Sequence, residues 1–278
     1  MTNVILLTII ATLLFSYDNQ LKAQNMKSVI TETAHKNHEE LFPNYVSKVK
    51  ITDPELIEVF DNFAFDEILS YGNLDTKTRV MAILASTIAS QALSEYKMML
   101  GGALNVGVTP IEAKEILYQS VPYVGISKVL DFIHATNEVL TERGVELPLK
   151  GQSTTTRDTR YENGLALQKE IFGEERINNM YNNAPKNQIH IQKYLSANCF
   201  GDYVTRDGLD IKTRELLTFS MLLSLGGCES QLKGHILGNV NVGNDKETLL
   251  SVVTQLIPYV GYPRALNAIG CLNEVIPE

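Results

Sequence analysis

Residues 74–79 read L-D-T-K-T-R, and residues 209–214 read L-D-I-K-T-R. The echo continues along the chain. A-L-N-V-G ends at Gly107 and N-V-N-V-G at Gly243; Q-S-V-P-Y-V-G ends at Gly125 and Q-L-I-P-Y-V-G at Gly261. Both copies then reach N-E-V, at Asn137 and Asn273. The offset is 135 residues at Arg79/Arg214 and 136 from Gly102/Gly238 onward, so one single-residue indel separates them. An offset this constant marks an internal repeat, and a repeat sorts residues. What both copies share builds the unit, and what only one copy carries is a candidate for chemistry. We place the first repeat at residues 32–147 and the second at 161–278. Residues 148–160, rich in Gly, Ser and Thr, join them as a linker.

The signals in each copy are helical. Residues 76–90 carry Val80, Ile83, Leu84 and Ile88 at the spacing of one helix face, and Leu216, Leu217, Met221, Leu222 and Leu225 follow suit in the second copy. Residues 165–172 and 189–195 show the same apolar spacing, and Leu41-Phe42 occupies a place like that of Ile171-Phe172. Thr109-Pro110-Ile111-Glu112 starts a helix with a capping box and a first-turn proline, and Asp245 caps its counterpart. These two helices are expected to stop at Pro122 and Pro258, with further helices over 129–140 and 265–276. No alternating strand pattern stands out after Met26. The expected fold is all-α: two similar helical bundles.

A length of 278 residues with 44% hydrophobic and 20% charged residues is globular composition. The net charge of −8 argues against nucleic acid or an anionic membrane as partner. Residues 4–15 form an apolar and Thr run too short for a comfortable membrane span, and Leu21-Lys22-Ala23 offers a cleavage site, so residues 1–23 read as an export signal, with an uncleaved N-terminal membrane anchor as the alternative. Three widely spaced cysteines (Cys199, Cys228, Cys271) and no C-x-x-C exclude a disulfide framework and a zinc knuckle. No glycine-rich phosphate loop or paired histidines call for a metal or organic cofactor.

Chemistry is sought where the copies differ. Glu215 aligns with Val80, Cys228 with Ala92 or Leu93, and His235 with Met99, so three polar or reactive groups fall within 21 residues of one copy only. Gly226-Gly227 breaks one helix and lets another start at Cys228, where the positive end of the dipole favours thiolate. Cys228 and His235 are two turns apart and share a face, with Gln231 between them. Glu215, on the preceding helix, reaches the same spot if the two helices pack antiparallel. A carboxylate beside an imidazole prepares it for proton transfer. Cys199 is a weaker candidate for the same pocket, and Cys271 reads as a small core residue. Arg79 and Arg214 occur in both copies and suggest a structural ion pair. Arg264, aligned with Lys128, is a candidate contact for a substrate carboxylate.

L-D-I-K-T-R-E-L, L-G-G-C-E-S-Q-L-K-G-H, N-V-G and P-Y-V-G-Y-P-R-A-L-N-A together resemble the carboxymuconolactone decarboxylase family, which includes the alkylhydroperoxidase D-like proteins. The resemblance covers all of copy two and, more weakly, copy one. It implies an all-helical ring of six units, hence a homotrimer here. It places the family's proton-relay glutamate on Glu215, its histidine on His235 and its first motif cysteine on Cys228. The peroxidase branch has a second cysteine where this chain has Gln231, so peroxidase activity would require an external thiol reductant or another resolving cysteine. Decarboxylation needs only the acid–base pair. The expected partner is a small carboxylated or lactone substrate, with copy one as a degenerate site; a thiol-dependent peroxidase acting through Cys228 and a non-catalytic helical ring that binds a small molecule are the alternatives.

Overall fold

The structure, a computed structural model, describes residues 30–45 and 47–277, so the expected export segment lies outside the described residues. Each repeat folds into seven helices in matching order. The first contains α1 (Glu32–Leu41), α2 (Val49–Thr52), α3 (Pro54–Phe65), α4 (Thr76–Ala89), α5 (Leu93–Asn105), α6 (Pro110–Val124) and α7 (Ile126–Glu142). The second contains α8 (Arg160–Phe172), α9 (Glu174–Asn182), α10 (Ile189–Tyr194), α11 (Ile211–Leu225), α12 (Glu229–Asn241), α13 (Lys246–Val260) and α14 (Tyr262–Val275). A π-helical segment, Leu195–Val204, continues α10. No strand occurs among the described residues.

The repeated L-D-x-K-T-R motif is a helix start. Asp75 accepts from Thr78 N at 2.9 Å at the head of α4, and Asp210 does the same with Thr213 N at 2.9 Å at the head of α11. Each bond satisfies one of the free amides of the first turn. Thr109 and Glu112 form the expected capping box. Pro122 and Pro258 do not stop their helices. Both lie inside the last turn, and the helices end at Gly125 and Gly261, whose φ values of 90° and 78° suit glycine. A proline this close to the end forfeits little hydrogen bonding.

The two repeats are not two separate bundles. A single core of buried side chains runs through both, with α4 and α11 packed on each other at its centre. Every residue of Arg79–Ala89 and of Arg214–Ser224 is buried, so these helices are enclosed on all faces rather than on the one face expected from spacing. The packing is also exchanged: α6 of the first repeat lies on α11 of the second, and α13 of the second lies on α4 of the first. The expected ion pair follows only one arginine. Arg214 pairs with Glu115 at 3.0 Å across this junction, whereas Glu115 aligns with Ser251 in the second repeat and Arg79 forms no ion pair among the described residues.

Candidate active site

α11 and α12 lie side by side, joined at Gly226-Gly227 with φ of 66° and 69°. That turn brings Glu215, one turn into α11, against His235, two turns into α12. His235 Nδ1 and Glu215 Oε2 are 2.8 Å apart. Glu215 is 1% exposed and His235 8%, so the pair is almost wholly withdrawn from water, where its attraction is least screened. Asn239 fixes the two helices in register by donating to Glu215 O at 3.0 Å and to His235 O at 2.8 Å. Gly238 makes the space: a Cβ there would stand 2.7 Å from Glu215 Oε2 and 2.9 Å from the Phe172 ring. With Nδ1 engaged, Nε2 is the nitrogen available for substrate. The ring is held edge-on by Phe172 at 5.2 Å and Tyr123 at 5.7 Å.

His235 forms part of the wall of a cavity of about 530 Å³, large enough for a small organic molecule. Cys228 and Gln231 line it too, so the three α12 residues predicted to share a face do so. Cys199 lines it from the π-helical segment. Tyr123 comes from the first repeat, at the end of α6, so the cavity is built by both copies. Its hydroxyl is buried close to Cys199 and Thr218. Burial, with Cys199 and Glu215 adding to it, raises the Tyr123 pKa well above its ordinary value.

The thiol differs from expectation. Cys228 does cap α12, but its Sγ–H donates to Leu222 O at 3.3 Å. Burial, reinforced by the neighbouring Glu229, raises its pKa rather than lowering it. Desolvation and a like-signed neighbour both penalise the thiolate here. Cys199 is more extreme, pushed up to about 12 by burial. All three cysteines are free thiols, and Cys271 is buried as expected.

Arg264 is also displaced from its expected place. It lines a narrow pocket with Gly226, Glu229 and Asn267 on the other side of Cys228, not the main cavity. The cation at the main cavity is Arg176 of α9, which sequence reasoning passed over. Its Nη2 lies 3.4 Å from the position of a Cβ on Gly234, the residue before His235. The signal was available: in the leading helices, where Phe42 matches Phe172, Arg176 is a charge carried only by copy two.

The profile of the carboxymuconolactone decarboxylase family matches residues 54–138 and again residues 190–274. The chain belongs to the carboxymuconolactone decarboxylase family. Over 121 residues it is 30% identical to a 4-carboxymuconolactone decarboxylase of Acinetobacter baylyi, covering 44% of this chain and 90% of that one. Over 118 residues it is 26% identical to a nitrosuccinic acid decarboxylase of Metarhizium robertsii, covering 42% of this chain and 82% of the relative. Either relative is about as long as one repeat, so this family member is a tandem.

Proposed function

We propose that the protein decarboxylates a small organic acid, a lactone or a comparably activated carboxylate, at the second-repeat cavity. The observation that carries this reading is the buried Glu215–His235 pair opening onto a cavity whose walls include one arginine and no carboxylate. Arg176 holds a carboxylate of the substrate at the mouth. The bond to the departing carboxylate breaks, carbon dioxide leaves, and the electron pair moves into the adjoining carbonyl or conjugated system. His235 Nε2 then delivers a proton to the carbon that has lost carbon dioxide, and Glu215 stabilises the imidazolium beforehand. Solvent restores the proton. Both relatives are named as decarboxylases, which supports the reaction class; the substrate here is part of the proposal.

A thiol peroxidase is the competing reading. Cys228 engaged with a backbone carbonyl, its raised pKa and Gln231 in the second-cysteine position all weigh against it. The deciding experiment is carbon dioxide release from a panel of carboxylated lactones and activated diacids, run in deuterium oxide. The expected result is one deuterium at the former carboxyl-bearing carbon, lost in His235→Ala. Peroxide consumption with an added thiol reductant, and no carbon dioxide from any acid, would favour the alternative.

We further propose a homotrimer. The repeats expose apolar side chains at matching places: Leu56 and Val59 in one, Ile191 and Tyr194 in the other; Ile126 and Leu130 in one, Tyr262 and Leu266 in the other. An exposed face kept in both copies is what alternating contacts around a closed ring require. Light scattering on the protein lacking residues 1–23 tests it, with a monomer at micromolar concentration as the contrary result. Export of the chain is proposed on residues 4–23 alone, and fractionation of expressing cells tests it.

A further inference from the structure

A second cavity, of about 410 Å³, lies away from His235, between α6, α7 and the segment 147–152 that leads into the second repeat. Three cations line it, Lys114, Lys150 and Arg206, against a single carboxylate, Glu115. That carboxylate is already fully engaged. Arg206 Nε reaches its two oxygens at 3.1 and 3.0 Å, Arg206 Nη2 reaches one at 2.9 Å, and Arg214 Nη2 reaches the other at 3.0 Å. Lys114 is therefore left without an acid. It is 7% exposed, its ammonium donates to Asn137 Oδ1, and no carboxylate pairs with it among the described residues. Burial alone pulls its pKa down.

A buried ammonium without a counter-ion is costly, and proteins rarely keep one idle. Composition does not explain it either, because the chain as a whole carries −8. The positions that align with Lys114, Glu115 and Tyr118 in the second repeat are Leu250, Ser251 and Thr254. The charged set thus belongs only to the side that the linker crosses. Apart from Asn137 and Gln152 the rest of the wall is mainly apolar and includes Ile111 and Ile133, and Arg206 stacks over the Tyr118 ring at 5.1 Å.

We infer that this cavity is a second ligand site, taking a small organic carboxylate whose charged end meets Lys114 and Arg206 and whose apolar body lies on Ile111 and Ile133. The ligand's carboxylate supplies the counter-charge to Lys114 that the engaged Glu115 cannot, and the linker segment forms part of the wall around it. The site is independent of the proposed decarboxylase chemistry. Two elements run from one cavity toward the other: α6, with Glu115 near its start and Tyr123 near its end, and α11, where Arg214, paired with Glu115, precedes Glu215.

Calorimetric titration of the full chain with benzoate tests this, with inorganic phosphate as a second arm. Benzoate is expected to bind the His235→Ala/Arg176→Met double variant as it binds the parent, and at least tenfold more weakly to Lys114→Met. Thermal unfolding provides the folding control. Lys114→Met is expected to unfold no earlier than the parent when unliganded, yet to lose the benzoate-induced rise in Tm. Benzoate binding unaffected by Lys114→Met, or abolished by the double variant, would overturn the site. A Lys114→Met protein that is destabilised but keeps its ligand-induced shift would make Lys114 a structural partner of Asn137 and overturn it equally. Phosphate binding as tight as benzoate would overturn the organic specificity.

Discussion

The two repeats build the same pocket and furnish it differently. Phe42, Phe65 and Met98 surround a cavity of about 180 Å³ in the first repeat, at the places held by Phe172, Phe200 and Gly234 around the 530 Å³ cavity of the second. The close approaches match as well. A Cβ on Gly102 would stand 2.8 Å from Phe42, and one on Gly238 2.9 Å from Phe172; Asn105 donates to Leu41 O and Asn241 to Ile171 O, each at 2.8 Å. Even the borrowed tyrosine is reciprocal. Tyr123 of the first repeat stands beside His235, and Tyr259 of the second packs on Phe60.

The contents diverge. Where the second repeat has Glu215 and His235, the first has Val80 and Met99, both fully buried. Where the second has a neutral bond from Ser196 to Gln168 at 2.6 Å, the first has Asp61 and His38. The first pocket is therefore smaller and rearranged rather than empty of polar groups. The lesson is that a duplicated scaffold fixes the shape of the walls, while single side chains decide whether a wall holds chemistry.

The largest difference to test is the acid–base pair itself. His235→Ala is expected to lower turnover by about 10²–10⁴-fold, the usual worth of a positioned proton donor. Glu215→Gln should lower it nearly as far while leaving KM close to the parent value. Met99→Ala should leave turnover intact and lower stability by about 2–5 kcal/mol, the cost of a core cavity. Equal loss of turnover in Met99→Ala at matched stability would break the assignment of chemistry to one repeat.

Next comes the cation. Arg176→Met should raise KM by about 10–100-fold, the loss of a charge-assisted contact of about 1.5–3 kcal/mol. Arg264→Met should leave KM within about twofold, because Arg264 faces another pocket. A reversal of these two results would restore Arg264 as the substrate contact.

A smaller effect is expected at the thiol. Cys228→Ser should keep most of the decarboxylase activity. The alkylation rate of Cys228 in Cys199→Ala/Cys271→Ala protein should reach half its maximum above the free-cysteine value of about 8.5. A midpoint below that value would revive the thiolate reading and sharpen the peroxidase alternative.

The smallest effect concerns the first pocket. Burial lowers the His38 pKa, partly offset by Asp61, so the unfolded chain binds that proton more readily than the folded one. Stability should then fall as pH drops through the unfolded histidine value of about 6.5 toward the folded value. Asp61, raised by burial, works in the opposite direction at lower pH. His35, Glu39 and Lys50 line the same pocket and share in the field. The fall in Tm between pH 7 and pH 5.5 should be shallower in His38→Leu than in the parent. An unchanged slope would mean that His38 stays hydrated.

The sequence alone was sufficient for the repeat, its helices and the bulk of the candidate site. Caps and apolar spacing are local physics, written within a few residues of where they act, so the Thr109–Glu112 capping box, Asp245 and the Gly226-Gly227 break could be read directly, whereas the helix stops were placed at Pro122 and Pro258 instead of Gly125 and Gly261. Subtracting one copy from the other exposed Glu215, Cys228 and His235 because charge in one copy against a buried apolar residue in the other is visible without coordinates. What required the tertiary structure was everything set by neighbours distant in the chain. Helices α4 and α11 read as one-sided but are enclosed on all sides, because each repeat buries its central helix in the other. Arg176 and Tyr123 reach the cavity from a leading helix and from the opposite repeat, and Arg264 is turned away from it. The Cys228 thiol shows the same limit. A helix start predicts thiolate, but desolvation and Glu229 act through the three-dimensional surroundings, and in this packing they raise the pKa.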